Sequence, residues 1–186
     1  MKGNKFSKFC LNLFVRIFCL QICCLLTSVF CISTSGSQFA RMLLQVASII
    51  VLVAFIYPVC HTKGDLDAPL INAGKKKFTP LMGLYAGLIS NSVFMISSIV
   101  LLISKLFGVV PNFVNYYKMI NSIYFPYLYS IMPVDYTINE ISFVNISFAI
   151  LVQIVIPVIC MIAYILGVKR FSFSEKILYK SIKKTS

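Results

Sequence analysis

The chain contains no tryptophan, a single histidine (His61) and only five acidic residues in 186. Charged residues make up 12%, about half the share usual in soluble domains. So little charge excludes an ordinary cytosolic domain, a disordered chain and a disulfide-rich secreted module. Enzymes and metal centres draw on His, Asp and Glu, and here these are scarce. The acids are Asp65, Asp67, Asp135, Glu140 and Glu175, and no H-E-x-x-H, G-x-S-x-G or P-loop pattern occurs. His61, Asp65 and Asp67, beside Cys60, have ligand chemistry, but structural zinc takes three or four ligands, and HTKGDLDAPLINAG reads equally well as a solvated, turn-rich loop. The chain is therefore read as a non-enzyme with no cofactor and no metal. Alternating ten-residue segments are also missing, which excludes a transmembrane barrel.

What is present is apolar. Hydrophobic residues make up 59% and the mean hydropathy is +0.91. A soluble fold of this size leaves roughly a third of its unfolded area exposed, too much to hide such a composition. About 20 apolar residues cross the hydrocarbon layer as a helix, and four runs are long enough. They cover about residues 9–32, 42–60, 81–107 and 141–168. The expectation is an all-α, polytopic membrane helix bundle with four transmembrane helices, forming one integral membrane domain over 1–186. The first run exceeds the core of a signal peptide and is read as a retained signal anchor.

Net charge is +12. The basic residues stand in short blocks beside apolar runs, so they are read as topology signals and contacts for anionic inner-leaflet lipids, not as a nucleic-acid surface. With the N-terminus in the cytoplasm, 14 of the 17 Lys and Arg fall inside; Arg41, Lys105 and Lys118 fall outside. That asymmetry places both termini in the cytoplasm and the chain in the plasma membrane. Arg16 lies two turns into the first run and is expected to snorkel, so the buried span begins near Ile17.

Residues 111–133 are too apolar for a plain loop and too polar for a span. Six of the ten tyrosines fall here or just beyond, at Tyr116, Tyr117, Tyr124, Tyr127, Tyr129 and Tyr136. The segment is read as an interfacial or re-entrant element on the outer face, with tyrosine hydroxyls in the head-group layer. The tail, 169–186, reads as a basic amphipathic helix on the inner leaflet. Five of seven cysteines lie between residues 10 and 31 and are read as small packing residues, with Cys10 and Cys60 as candidates for S-acylation.

Side-chain amides within the four runs include Gln21, Gln45, Asn91 and Gln153. An amide facing hydrocarbon loses its water, so these should turn into the bundle, and Asn91 and Gln153 should be neighbours. Gln153, Pro157, Cys160, Tyr164 and Gly167 recur at helical spacing on one stripe. Pro157 should kink its helix and free the carbonyl of Gln153. Gly83, Gly87, Ser90 and Ser97 mark a small packing face on the third run. The candidate intramembrane polar cluster is thus Gln21, Gln45, Asn91, Gln153, Pro157, Cys160 and Tyr164. Two functions fit: an accessory, regulatory or scaffold component acting through a protein partner or as a homo-oligomer, and a transporter subunit whose polar faces line a path.

Overall fold

The computed structural model describes residues 3–33, 37–132 and 137–169. The side chain of Cys31 lies outside what the structure describes. Asp135, Tyr136, Glu175 and the amphipathic reading of the tail lie outside the described residues.

Every regular element among the described residues is a helix. They are α1 (Gly3–Ser33), α2 (Gln38–Asn72), α3 (Met82–Ser90), α4 (Ser92–Phe107), α5 (Phe113–Ile120), a 3-10 turn (Ser122–Tyr124), α6 (Phe125–Ile131), α7 (Phe143–Val152) and α8 (Val155–Val168). Three helical stretches are long and apolar enough to cross a membrane: one within α1, α2, and α7 continued by α8. The bent pair α3–α4 makes a fourth if it is counted as one span.

Local chemistry sets several boundaries. The Ser37 hydroxyl accepts from Ala40 N–H at 3.3 Å and starts α2. Ser142 caps α7 in the same way, accepting from Asn145 N–H at 3.2 Å. Gly108 ends α4 in the left-handed region, φ 65°, where an L side chain is strained.

Two corrections concern element lengths. The second helix does not stop at Cys60: α2 runs 35 residues, about 52 Å at 1.5 Å per residue. HTKGDLDAPLIN is its last part, not a solvated loop. Gly64 and Asp67 there are buried, because the helix is held against α8. The third run is not one straight helix either. It breaks at Asn91 with a bend of 63°.

Helix α8 lies between α2 and α3, its principal partners. Glycine makes both contacts close. A Cβ on Gly167 would lie 2.1 Å from the His61 carbonyl oxygen, and one on Gly64 would lie 2.3 Å from that of Tyr164. A Cβ on Gly83 would lie 2.4 Å from the Cys160 carbonyl, and one on Gly87 would lie 2.7 Å from Pro157 Cα. Backbone cannot retreat as a flexible side chain can, so these four positions set the helix separations. The buried core is otherwise aliphatic: Leu13, Ile17 and Leu20 of α1 meet Leu52 and Ile56 of α2 and Ile156 of α8 in one cluster.

The outer surface is apolar as well. Leu26, Phe39, Ile50, Phe107 and Val144 are all more than half exposed. Scattered exposed side chains are ordinary, but whole helix faces of this kind mark a surface that meets something other than water.

Candidate functional site

The polar side chains of the core gather where two helix breaks face each other. Pro157 has no N–H, so the carbonyl of Gln153 one turn earlier loses its helical donor. The chain compensates in two ways. Gln153 and Ile154 N–H groups bond three residues back, to Ile150 and Leu151, tightening the turn between α7 and α8. Asn91, at the break between α3 and α4, then donates from Nδ2 to the freed Gln153 carbonyl at 3.2 Å and to Oε1 of the same residue at 3.4 Å.

The network continues into the segment between α4 and α7. Gln153 Nε2 donates to Asn121 Oδ1 at 2.7 Å. Asn121 Nδ2 donates to the Ser97 hydroxyl at 2.9 Å. The Tyr117 hydroxyl donates its one hydrogen to the Ala149 carbonyl at 2.9 Å. The Ser98 hydroxyl, 3.2 Å away, must therefore be the donor to Tyr117. Asn91, Asn121 and Gln153 are almost wholly inaccessible. Only Asn91 Oδ1 in this set is buried with no hydrogen-bond partner. Beside Gln153 and Ser98 lies a small, mostly apolar cavity of about 150 Å³ between α4 and α7.

The other sequence-derived candidates occupy separate places, so the seven residues are not one cluster. Gln21 meets the 3-10 turn: its Oε1 accepts from Ile123 N–H at 2.9 Å and from the Ser122 hydroxyl at 3.1 Å, while its Nε2 is buried without a partner. Gln45 is half-buried on α2 and donates to the Pro126 carbonyl at 3.3 Å and the Ser130 hydroxyl at 3.2 Å. Cys160 packs between Gly83 and Gly87 of α3, beside Cys60. Tyr164 donates to Asp67 at 3.1 Å. The reason is geometric: one stripe on α8 spans several turns, and successive turns meet different helices. Ser90 belongs to yet another contact, donating to the Cys10 carbonyl at 2.9 Å.

Three further readings need correction. Tyr117 and Tyr124 do not sit with wet hydroxyls in a head-group layer; both are buried in the core, whereas Tyr116 is exposed. Cys10 and Cys60 are buried and offer no open thiol for acylation, while Cys19 and Cys23 face outward from α1 and are not packing residues. Lys118, counted among the outer basic residues, is buried and donates to the Met132 carbonyl at the end of α6, 3.1 Å away.

A second polar site was missed. Asp67 is buried and holds three donors: Lys63 at 2.8 Å, Lys76 and the Tyr164 hydroxyl. Lys63 and Asp67 have the i, i+4 spacing of a helical ion pair, a signal that was readable had the segment been taken as helical. His61 stacks on Tyr57, ring centroids 5.3 Å apart. Among the described residues no three His, Cys, Asp or Glu side chains converge as a metal site would require.

Comparison of the chain with protein-family models, with curated proteins and with solved structures finds no match. Chemistry must therefore be read from the geometry alone. The central network is built from amides and hydroxyls. Such groups hold helices in register or hydrogen-bond a polar guest; they do not exchange protons at neutral pH. Gln153 is its hub, so Gln153→Leu orphans Asn121 Oδ1 and weakens the hold of Asn91. We expect a loss of about 1–2 kcal/mol of stability in mild detergent. The Gln153→Leu/Asn121→Leu double variant should fall short of the sum of the two single losses by at least about 0.5 kcal/mol, since both remove the same bond.

Proposed function

We propose that the protein is a four-span plasma-membrane component with both termini in the cytoplasm, acting as a non-enzymatic scaffold or accessory subunit through protein contacts. In this reading α1, α2, the bent pair α3–α4 and α7–α8 cross the bilayer. The segment α5, 3-10 turn, α6 is a re-entrant element that enters from the outer side. What supports re-entry is its reach: Asn121 bonds Gln153 and Ser122 bonds Gln21, both within crossing helices. Irregular backbone is tolerated at such depth only where protein surrounds it, and the 3-10 turn is buried. The excess of Lys and Arg on one side supports the sidedness.

The observation that carries the scaffold reading is how tightly the polar stripes are closed. The polar faces of α3 and α8 meet through glycines that leave no room for a Cβ, and the amides beside them bond one another. A path for a polar solute needs those groups facing water. One observation favours the second reading, a transporter subunit: two broken helices meet at a buried acceptor, Asn91 Oδ1, that the fold leaves unpaired. Discontinuous helices are how many carriers build a binding point within the membrane.

A thiol-accessibility experiment tests topology and dryness together. Single cysteines are placed at positions 75, 91, 109 and 153 in a background without native cysteines. A membrane-impermeant polar maleimide is then applied to intact cells. Val109→Cys should react and Lys75→Cys should react only after permeabilisation. Asn91→Cys and Gln153→Cys should stay inert in both conditions. Reaction at 91 or 153 replaces the scaffold reading with the transporter reading, and reaction of Lys75→Cys from outside removes the sidedness.

A further inference from the structure

The amino-terminal half of α1 and the carboxy-terminal half of α2 do not close on each other completely. They leave a groove of about 300 Å³, near the lower limit for small-ligand sites. Its lining is divided. Arg16, Asn12, Thr62 and Lys63 supply polar groups; Phe9 and Leu66 belong to an apolar wall. No acidic side chain lines it.

The charge in the groove is not neutralised from within. The Arg16 guanidinium has no hydrogen bond or ion pair with the described residues. Lys63 gives one N–H to Asp67 and keeps two donors in hand. Asp67 is already shared by two lysines, so this corner retains a positive surplus. Arg16 is also exposed on a helix whose neighbouring side chains, Leu11 and Val15, are apolar and exposed. An arginine so placed within an apolar surface is costly unless it reaches the membrane boundary or meets an anion. Guanidinium presents its donors as a planar fork that matches two oxygens of a phosphate.

We propose that this groove binds one anionic phospholipid, its phosphate held by Arg16 and Lys63 with Asn12 and Thr62 beside them, and its acyl chains running past Pro58 and Val59, the deeper apolar part of the lining, toward the bilayer interior. The proposal rests on the chain being an integral membrane protein, and on neither the scaffold nor the transporter reading. The site is distinct from the diffuse attraction of basic loops to the inner leaflet, because its donors stand in one cleft between two helices.

The test uses the full chain in nanodiscs containing photoactivatable phosphatidylglycerol or, in parallel, photoactivatable phosphatidylcholine, each with a diazirine near the glycerol. Cross-links from phosphatidylglycerol should map to residues 9–16 and 58–66. The phosphatidylcholine probe should give far less labelling there. Arg16→Gln should lower the labelling about ten-fold, as expected for losing a charge-assisted, two-pronged contact. Arg16→Lys, which keeps the charge and loses the fork, should retain an intermediate yield. Lys75→Gln removes a charge from an exposed position outside the groove and should change the yield by less than about two-fold. Millimolar glycerol 3-phosphate, a head group without chains, should not compete. The thermal transition of Arg16→Gln, measured alongside, should match the parent because that side chain makes no contact the fold depends on. If Arg16→Gln is unfolded, Thr62→Val and Asn12→Leu serve instead, each expected to reduce labelling at least two-fold. Equal labelling by the two probes, a fall with Lys75→Gln as large as with Arg16→Gln, competition by glycerol 3-phosphate, or unchanged labelling in the folded groove variants would each overturn the site. Failure of the membrane reading shows differently, as a monodisperse folded protein in buffer without detergent.

Discussion

Gly167→Ala is expected to destabilise the detergent-solubilised protein by about 3 kcal/mol, toward the upper end of overpacking penalties. Two effects oppose each other at this position. Alanine is the better helix former, by about 1 kcal/mol. Against that, its methyl group would stand 2.1 Å from the His61 carbonyl oxygen and 2.9 Å from the carbonyl carbon of the same residue. Both atoms are backbone of a helix fixed along much of its length, so α2 and α8 must separate and the loss spreads to their whole contact. Packing decides the sign. Gly64→Ala, on the opposite helix of the same crossing, should behave alike, and the pair should be far from additive. Gly74→Ala is the control. It has open space around it and φ of 68°, so only backbone strain of about 1 kcal/mol applies. Thermal unfolding followed by a thiol-reactive dye separates these outcomes. A Gly167→Ala protein as stable as the parent would mean that the two helices do not cross at this distance.

Asp67→Ala comes next in size, at about 2 kcal/mol. Breaking a fully buried ion pair costs roughly 3–5 kcal/mol because a charge is stranded. Here the stranded groups are lysines whose side chains keep 20% and 29% exposure, while that of Asp67 keeps 3%. Their ammonium groups can turn back to water, which reduces the cost. What is not recovered is the join between three elements: Lys63 and Asp67 on α2, Lys76 on the connection to α3, and Tyr164 on α8. Tyr164→Phe removes one neutral donor alone and should cost about 1 kcal/mol. Asp67→Asn, which keeps the acceptor without the charge, should fall between these two. The ranking Asp67→Ala, Asp67→Asn, Tyr164→Phe checks that charge and not shape holds the corner. Equal losses in all three would refute it.

The pattern of these two sites shows what was legible. Gly83 and Gly87 could be picked out because small residues four apart mark one face of a helix, and the structure uses that face against α8. Gly64 was not singled out, and Gly167 was placed on the α8 stripe but not as a close-packing position, because each stands without a glycine four residues away. Their relation is between helices, and no periodicity within either helix records it. Asn91 and Gln153 could be paired because each is an amide near the middle of an apolar run. Asn121 could not be joined to them, since its segment reads as an interfacial or re-entrant element and nothing within it fixes its depth. Gln21 was grouped with Asn91 on polarity alone, yet the 3-10 turn takes it instead. Asp67 was misjudged for a different reason. Gly64 and the nearby Asp65 and Asp67 resemble a turn locally, and contact with α8 overrides that preference over the last twelve residues of α2.

Composition and hydropathy alone determined that the chain is helical and apolar along lengths sufficient to cross a bilayer, and which residues share a face. These properties are local: they depend on 20 residues at a time and on a repeat of 3.6. The tertiary structure alone decided where the long helices end or bend, which polar groups meet, and that Tyr117, Asn121 and Lys118 lie inside. Those outcomes follow from the partner that each helix turn finds. A buried donor or acceptor must be matched wherever one is in reach, and reach is a property of the packed bundle and not of any segment within it.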